Sequence, residues 1–425
     1  MHSRRKFLAT SAGLGAVLLI AANAALCAEG APSHIKDVVA ITQVFGDGQK
    51  FTAIAVEYDK DIETAKLSAS TFEVKGRRVV RAYANTSASP AEQGKNGRYV
   101  IVELSLDDPD ARLYGHEKMS ATRKTAKAAL IQRGPVFTAG GDAYAASAKA
   151  VATRRVANLV VDDFVQREYK DPKTGDLLRY NLFVPRNYDK NKSYPLVLFM
   201  HDAGATSTRT DTTLVQGLGA VAWASPSDQA RHESFVLAPQ YSTWVVNDKS
   251  EASSYLDTTI DLLDFVAKQY NIDRNRLYTT GQSGGAMMSI AMNIKYPNLF
   301  AASFIVAGQW DAAKVQPLVG QKQWIVVSEG DLKAYPGQNA VTAALEKGGA
   351  KVSRAVWNGR SSPAEFDAAV KKMAAEGNAV NYVALEKGSV VPPGESDDGG
   401  GNHVNTWRIA YTIDAIRDWV FAQHK

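Results

Sequence analysis

The spacing of apolar positions changes near residue 150. From about Ile35 to Val151 they alternate with polar ones. In Phe51–Tyr58 the side chains of Ile54, Val56 and Tyr58 share a face, and in Arg98–Leu106 so do Val100, Val102, Leu104 and Leu106. A period of two is that of strands with one face on a core. Gly46-Asp47-Gly48 and Gly94-Lys95-Asn96-Gly97 supply turns between them, and no convincing long helix intervenes. The pattern predicts an antiparallel sandwich over 33–155.

After an Ala-rich join at 143–157, strand and helix patterns alternate. Leu177–Val184, Leu196–Met200 and Phe235–Ala238 read as strands. Tyr255–Tyr270 reads as a helix whose apolar side holds Leu256, Ile260, Leu263, Phe265 and Val266. A strand running to Gln282 precedes the helical run Ala286–Met292, whose Met287 and Met288 read as core. Phe300–Ala307 and Trp324–Val327 read as strands, Val341–Lys347 as helical, Tyr382–Leu385 as a strand and Thr406–Gln423 as the closing helix. Such alternation predicts a mainly parallel, doubly wound α/β sheet over 158–425, with ligands at the carboxyl ends of its strands. An additional strand and helix, Lys351–Trp357 and Ala364–Ala375, are candidates to cap the pocket.

With 425 residues, 45% hydrophobic and 22% charged, the chain reads as globular and long enough for two domains. Three cations of the first segment, Arg4, Arg5 and Lys6, account for much of the net charge of +5. No basic run interleaved with aromatics appears, so a nucleic-acid partner is not expected. Met1–Ala28 has the basic start, apolar stretch and small-residue end of an export signal. Within it, Ser3-Arg4-Arg5-Lys6-Phe7-Leu8 resembles a bacterial twin-arginine signal, which implies a periplasmic or secreted protein. No other segment is apolar and long enough to span a bilayer. The sole cysteine, Cys27, falls at the processing boundary, so the mature chain would hold no disulfide, thiolate nucleophile or Cys-based metal site.

The most chemically informative stretch is Gly281-Gln282-Ser283-Gly284-Gly285. It has the form G-x-S-x-G between a strand and a helix, a context that holds a serine hydroxyl exposed on a strained turn. A serine needs a base and an acid to orient that base. Of the seven histidines, His201, His232 and His403 lie where a base is needed, and His403 is the candidate. It follows Gly399-Gly400-Gly401 in what reads as a loop before the last helix. Asp331 ends the apolar run Trp324–Val327 and is the candidate acid, in chain order Ser, Asp, His. Asp311 is its rival, while Asp397 and Asp398 are close in sequence to His403. A helix-capping role for Asp331 is disfavoured by Pro336 nearby. Backbone N–H groups of Ala203 and Gly284 are the candidate oxyanion donors, with His201 read as a structural brace. Trp244 and Trp310 are candidates to line the substrate pocket.

With these residues in place, the chain resembles the α/β-hydrolase superfamily. It is nearest the secreted esterases related to polyhydroxyalkanoate depolymerases and feruloyl esterases, and the prolyl-oligopeptidase branch. Arg179–Pro185 and Tyr194–His201 look like their entry strands, and the β half resembles their N-terminal immunoglobulin-like domain. One departure is Asp202, where the family usually has glycine after the oxyanion-loop histidine. The resemblance implies hydrolysis of a small-molecule or polymeric ester through an acyl-enzyme, with no metal or organic cofactor. Peptide hydrolysis and a non-catalytic binding role are the alternatives.

Overall fold

The computed structural model describes residues 34–117 and 120–425. The export-signal reading of Met1–Ala28 lies outside them.

The N-terminal half is built on β1 (Ile35–Phe45), β2 (Gly48–Ile62), β3 (Val79–Asn85) and β4 (Gly97–Leu104), followed by the hairpin β5 (Tyr114–Glu117) and β6 (Ser120–Arg123). One five-stranded sheet has β7 (Arg155–Asn158) parallel to β1, then β1, β2, β4 and β3 joined antiparallel. A second sheet of Phe72–Val74, Ala129–Gln132 and Val151–Ala152 faces it. Ile54, Val56, Tyr58, Val100, Val102 and Leu104 fill the core between them. Leu106 does not join them: β4 has ended, and the residue is exposed. The opposite face is also covered, around Val39, Ile41, Ala53, Ala55 and Ile101.

The C-terminal half is a nine-stranded sheet of β8 (Phe164–Lys170), β9 (Leu177–Phe183), β10 (Tyr194–Met200), β11 (Phe235–Gln240), β12 (Ile272–Gln282), β13 (Ala302–Val306), β14 (Gln323–Ser328), β15 (Val352–Trp357) and β16 (Val380–Leu385). The order is β8-β9-β11-β10-β12-β13-β14-β16-β15. β8 and β9 are antiparallel additions at one edge, and the rest run parallel. Period-two alternation divides β10 between two cores. Leu196, Leu198 and Met200 face a cluster with α1 (Tyr255–Gln269), α2 (Gly284–Lys295) and α3 (Ala334–Lys347). Val197 and Phe199 belong to the other, with α4 (Pro363–Ala374), α5 (Gly399–Ala410) and α6 (Asp414–Phe421). Helices on both faces bury the parallel strands and leave their carboxyl ends as the open rim.

Three expectations are corrected. The closing helix is two helices, α5 and α6, with a break at Tyr411–Ile413. α3 starts at Ala334 despite Pro336, because a proline in the first turn forfeits only an N–H that has no helical acceptor. The segment read as a cap is sheet and core: β15 pairs with β16 at the edge, and Phe366, Val370 and Met373 of α4 are buried.

Candidate active site

Ser283 sits where β12 turns into α2, at φ 52° and ψ −119°, a left-handed conformation that is strained for a residue with a Cβ. The turn is this tight because chain segments almost touch. A Cβ added at Gly285 would lie 2.0 Å from the Met200 carbonyl oxygen, and one at Gly281 would lie 2.4 Å from the Gly285 carbonyl carbon. Only glycine fits either place.

The rim brings Ser283 together with two distant side chains. His403 Nε2 is 2.8 Å from Ser283 Oγ, and His403 Nδ1 is 2.5 Å from Asp331 Oδ2. Since the carboxylate can only accept, Nδ1 carries the proton and Nε2 is free to accept from the hydroxyl. His403 lies inside α5, one turn in, and not in a loop. Asp398 caps that helix by accepting from the Gly401 N–H at 2.7 Å. Asp331 is 3% exposed. Burial pushes its carboxyl up, but the hydrogen bond and charge of His403, with the Ala334 and Lys333 N–H groups, outweigh this and hold it below the usual carboxylate range. Its Oδ1 accepts from both N–H groups, so the capping role set aside above is real and coexists with the contact to His403. Asp311 instead caps its own short turn, and Asp397 accepts from Asn402.

Beyond β10 the chain breaks into a short turn, Ala203–Ala205. Ala203 and Gly284 each open a helical turn, so their N–H groups lack helical acceptors. They lie close together: a Cβ added at Gly284 would be 3.7 Å from Ala203 N. Asp202 organises this region. One carboxylate oxygen accepts from the Gly204 N–H at 2.8 Å, and the other accepts from Gln282 Nε2 at 2.9 Å. Gln282 also donates to Gln216 Oε1 at 3.1 Å. The residue before the serine is thus tied to the Ala203–Ala205 turn, a link that the sequence hints at only through its place in the motif. His201 is buried and donates from Nδ1 to the Asp202 carbonyl at 2.7 Å, while Nε2 accepts from the Tyr241 N–H at 3.0 Å.

Three cavities meet here. A niche of about 20 Å³ is lined by Ala203, Gly284, Thr243 and Trp244. A cleft of about 580 Å³ runs past Ser283 and His403 to Met287, Gln309, Leu332 and Lys333, so Met287 contributes to its wall as well as to the core. A third, of about 540 Å³, lies between the two halves of the chain. Trp310 is buried in the core and lines none of them. Among the described residues, no group of three or more His, Cys, Asp or Glu side chains could hold a metal ion, and no helix is long and apolar enough to cross a membrane.

Residues 37–145 match the family model "Esterase Ig-like N-terminal domain". The solved structure of a thermostable esterase superposes with a TM-score of 0.77 at 28% identity, covering 92% of this chain and all of the other. The chain has an α/β-hydrolase fold behind an esterase-type immunoglobulin-like domain. Residues 245–319 of the hydrolase half match the prolyl oligopeptidase family. Acetylxylan esterase A of Emericella nidulans is 33% identical over 93 residues, or 18% of this chain and 31% of its own. Feruloyl esterase D of Neurospora crassa is 25% identical over 141 residues, 32% of this chain and 46% of its own. The matches thus span a third to a half of these relatives' lengths.

Proposed function

We propose that this hydrolase cleaves carboxylic esters through an acyl-enzyme on Ser283. The observation that supports the reading most is the continuous chain of contacts from Asp331 through His403 to Ser283 at the carboxyl ends of the strands. His403 Nε2 takes the hydroxyl proton as Oγ attacks the ester carbonyl. The Ala203 and Gly284 N–H groups hold the oxygen as it becomes negative, and the α2 N-terminus adds its dipole. Nε2 then protonates the leaving alcohol, water repeats the attack, and the acid departs. Asp331 fixes the tautomer and stabilises the imidazolium.

The prolyl oligopeptidase match keeps peptide hydrolysis as a second reading. A β-sandwich of this size does not supply the large propeller such a peptidase ordinarily carries. Residues 1–28 are proposed to export the folded enzyme, with the division between domains after Asn158, because Arg155–Asn158, expected at the join, pairs with β1 as the last strand of the first sheet. The test is a panel of nitrophenyl esters, acetyl to long acyl, beside peptide nitroanilides, with Ser283→Ala as control. Turnover of esters that is lost in the variant is expected. Retained ester turnover by the variant ends the assignment, and cleavage of anilides alone favours the peptidase.

A further inference from the structure

The immunoglobulin-like domain touches two separate parts of the machinery just described. At the β1–β2 turn, a Cβ added to Gly46 would lie 2.6 Å from the carbonyl oxygen of Arg408, on the helix that carries His403. At the β5–β6 hairpin, His116 Nε2 is 3.1 Å from where a Cβ on Gly204 would stand, within the oxyanion turn. The hairpin is anchored there. Tyr114 and Ala121 pack into the hydrolase core cluster, and Arg123 binds Asp211 at 3.1 Å and Gln49 at 3.2 Å.

Between these two contacts lies the cleft of about 540 Å³. Asp47, Arg112, Tyr114 and His116 line it from one domain, and Ser283, His403, Trp407 and Arg408 are among those lining it from the other. Asp47 and Arg112 are held as a pair at 3.0 Å. The His116 ring is fixed by Tyr114 Oη, 3.0 Å from Nε2, which leaves Nδ1 as its second hydrogen-bonding atom. One wall of the cleft is the helix of His403, the group that must reach the leaving oxygen. An indole with a carboxylate, a guanidinium and an imidazole is a lining suited to a hydroxyl-bearing ligand.

Resting on the ester reading, we infer that this cleft is the subsite for the leaving alcohol, and that His116 of the immunoglobulin-like domain positions a hydroxyl of that alcohol. The domain is then part of the active centre, and the ester preferred is one whose alcohol half bears further hydroxyls.

The test compares 1-monoacetylglycerol with propyl acetate, which shares the acyl group but lacks the extra hydroxyls. Wild type is expected to prefer the former. His116→Ala should lower that preference in kcat/KM three- to tenfold, the scale of one lost hydrogen bond, mainly through KM, and His116→Gln should restore part of it. A merely structural role would move both esters together, so an unchanged ratio in His116→Ala overturns the inference. The ratio of dissociation constants, measured by ligand-observed NMR on Ser283→Ala protein with and without His116→Ala, gives a readout independent of turnover. Absence of wild-type hydrolysis would sink the ester reading, and this binding ratio would still decide the subsite.

Discussion

Asp202→Ala isolates the link between the turn at Ser283 and the Ala203–Ala205 turn, the proposed oxyanion turn. The carboxylate is 8% exposed and accepts from the Gly204 N–H at 2.8 Å and Gln282 Nε2 at 2.9 Å. A hydrogen bond to a charged acceptor contributes about 1.5–3 kcal/mol. Gln282 keeps Gln216 as an acceptor, so the expected loss of stability is roughly 2–4 kcal/mol, below the sum of two such bonds. For catalysis the upper bound is loss of one oxyanion donor, ~3 kcal/mol or about 100-fold. Uncapping the turn displaces the Ala203 amide without deleting it, so kcat should fall about 10- to 100-fold with KM little changed. Asp202→Asn, which keeps an acceptor for Gly204 but presents an amide to Gln282, should fall between. The assay is steady-state hydrolysis of nitrophenyl acetate well below Tm, with urea unfolding of each protein. A folded Asp202→Ala enzyme with kcat within twofold of wild type would refute the positioning role, as would an effect confined to KM.

Other expectations follow from the same geometry. Gly285→Ala places a Cβ 2.0 Å from the Met200 carbonyl oxygen and should fail to fold or lose several kcal/mol of stability, read by circular dichroism melting; a normal Tm contradicts it. Asp331→Asn should cost on the order of 10³–10⁴ in kcat through the wrong imidazole tautomer, the scale of the corresponding change in chymotrypsin-type enzymes; a loss under tenfold excludes the role. Burial holds His201 below its ordinary value of 6.5, against the opposing hydrogen bond and charge of Asp202. The unfolded chain therefore binds a proton that the folded protein does not. The stability gained from a neutral His201 is complete above about pH 6.5 and is lost at up to ~1.4 kcal/mol per pH unit as pH falls towards the folded value. Urea titrations at pH 7.5, 6.5 and 5.5 should give wild type a steeper decline than His201→Gln, and equal slopes would contradict this.

The parts of the site legible in the sequence were those fixed locally. Gly281, Ser283 and Gly285 declare a tight strand-to-helix turn because the steric demand lies within five residues. Asp331 was legible as a carboxylate at the end of an apolar run and His403 as an imidazole after a glycine-rich stretch, but not their local form. Three consecutive glycines argue against a helix, yet the Asp398 cap and burial of Asn402, Asn405 and Thr406 against the sheet override that propensity. The break between α5 and α6 was hidden because Thr406–Gln423 contains neither glycine nor proline to mark it. Trp310 shows the converse: an aromatic after a strand end looks like pocket lining, but packing decides, and it is core. The approach of His116 to Gly204 joins positions far apart in the chain, and no pattern within either segment encodes it.

The central claim is that Ser283 is made nucleophilic by His403. Its most direct test is exposure of the enzyme to a fluorophosphonate, followed by intact mass and peptide mapping. One adduct per chain on the Ser283 peptide is predicted for wild type, with none in Ser283→Ala and labelling slowed at least a thousandfold in His403→Ala. An adduct on another residue, or an unlabelled protein that still turns over esters, would contradict it.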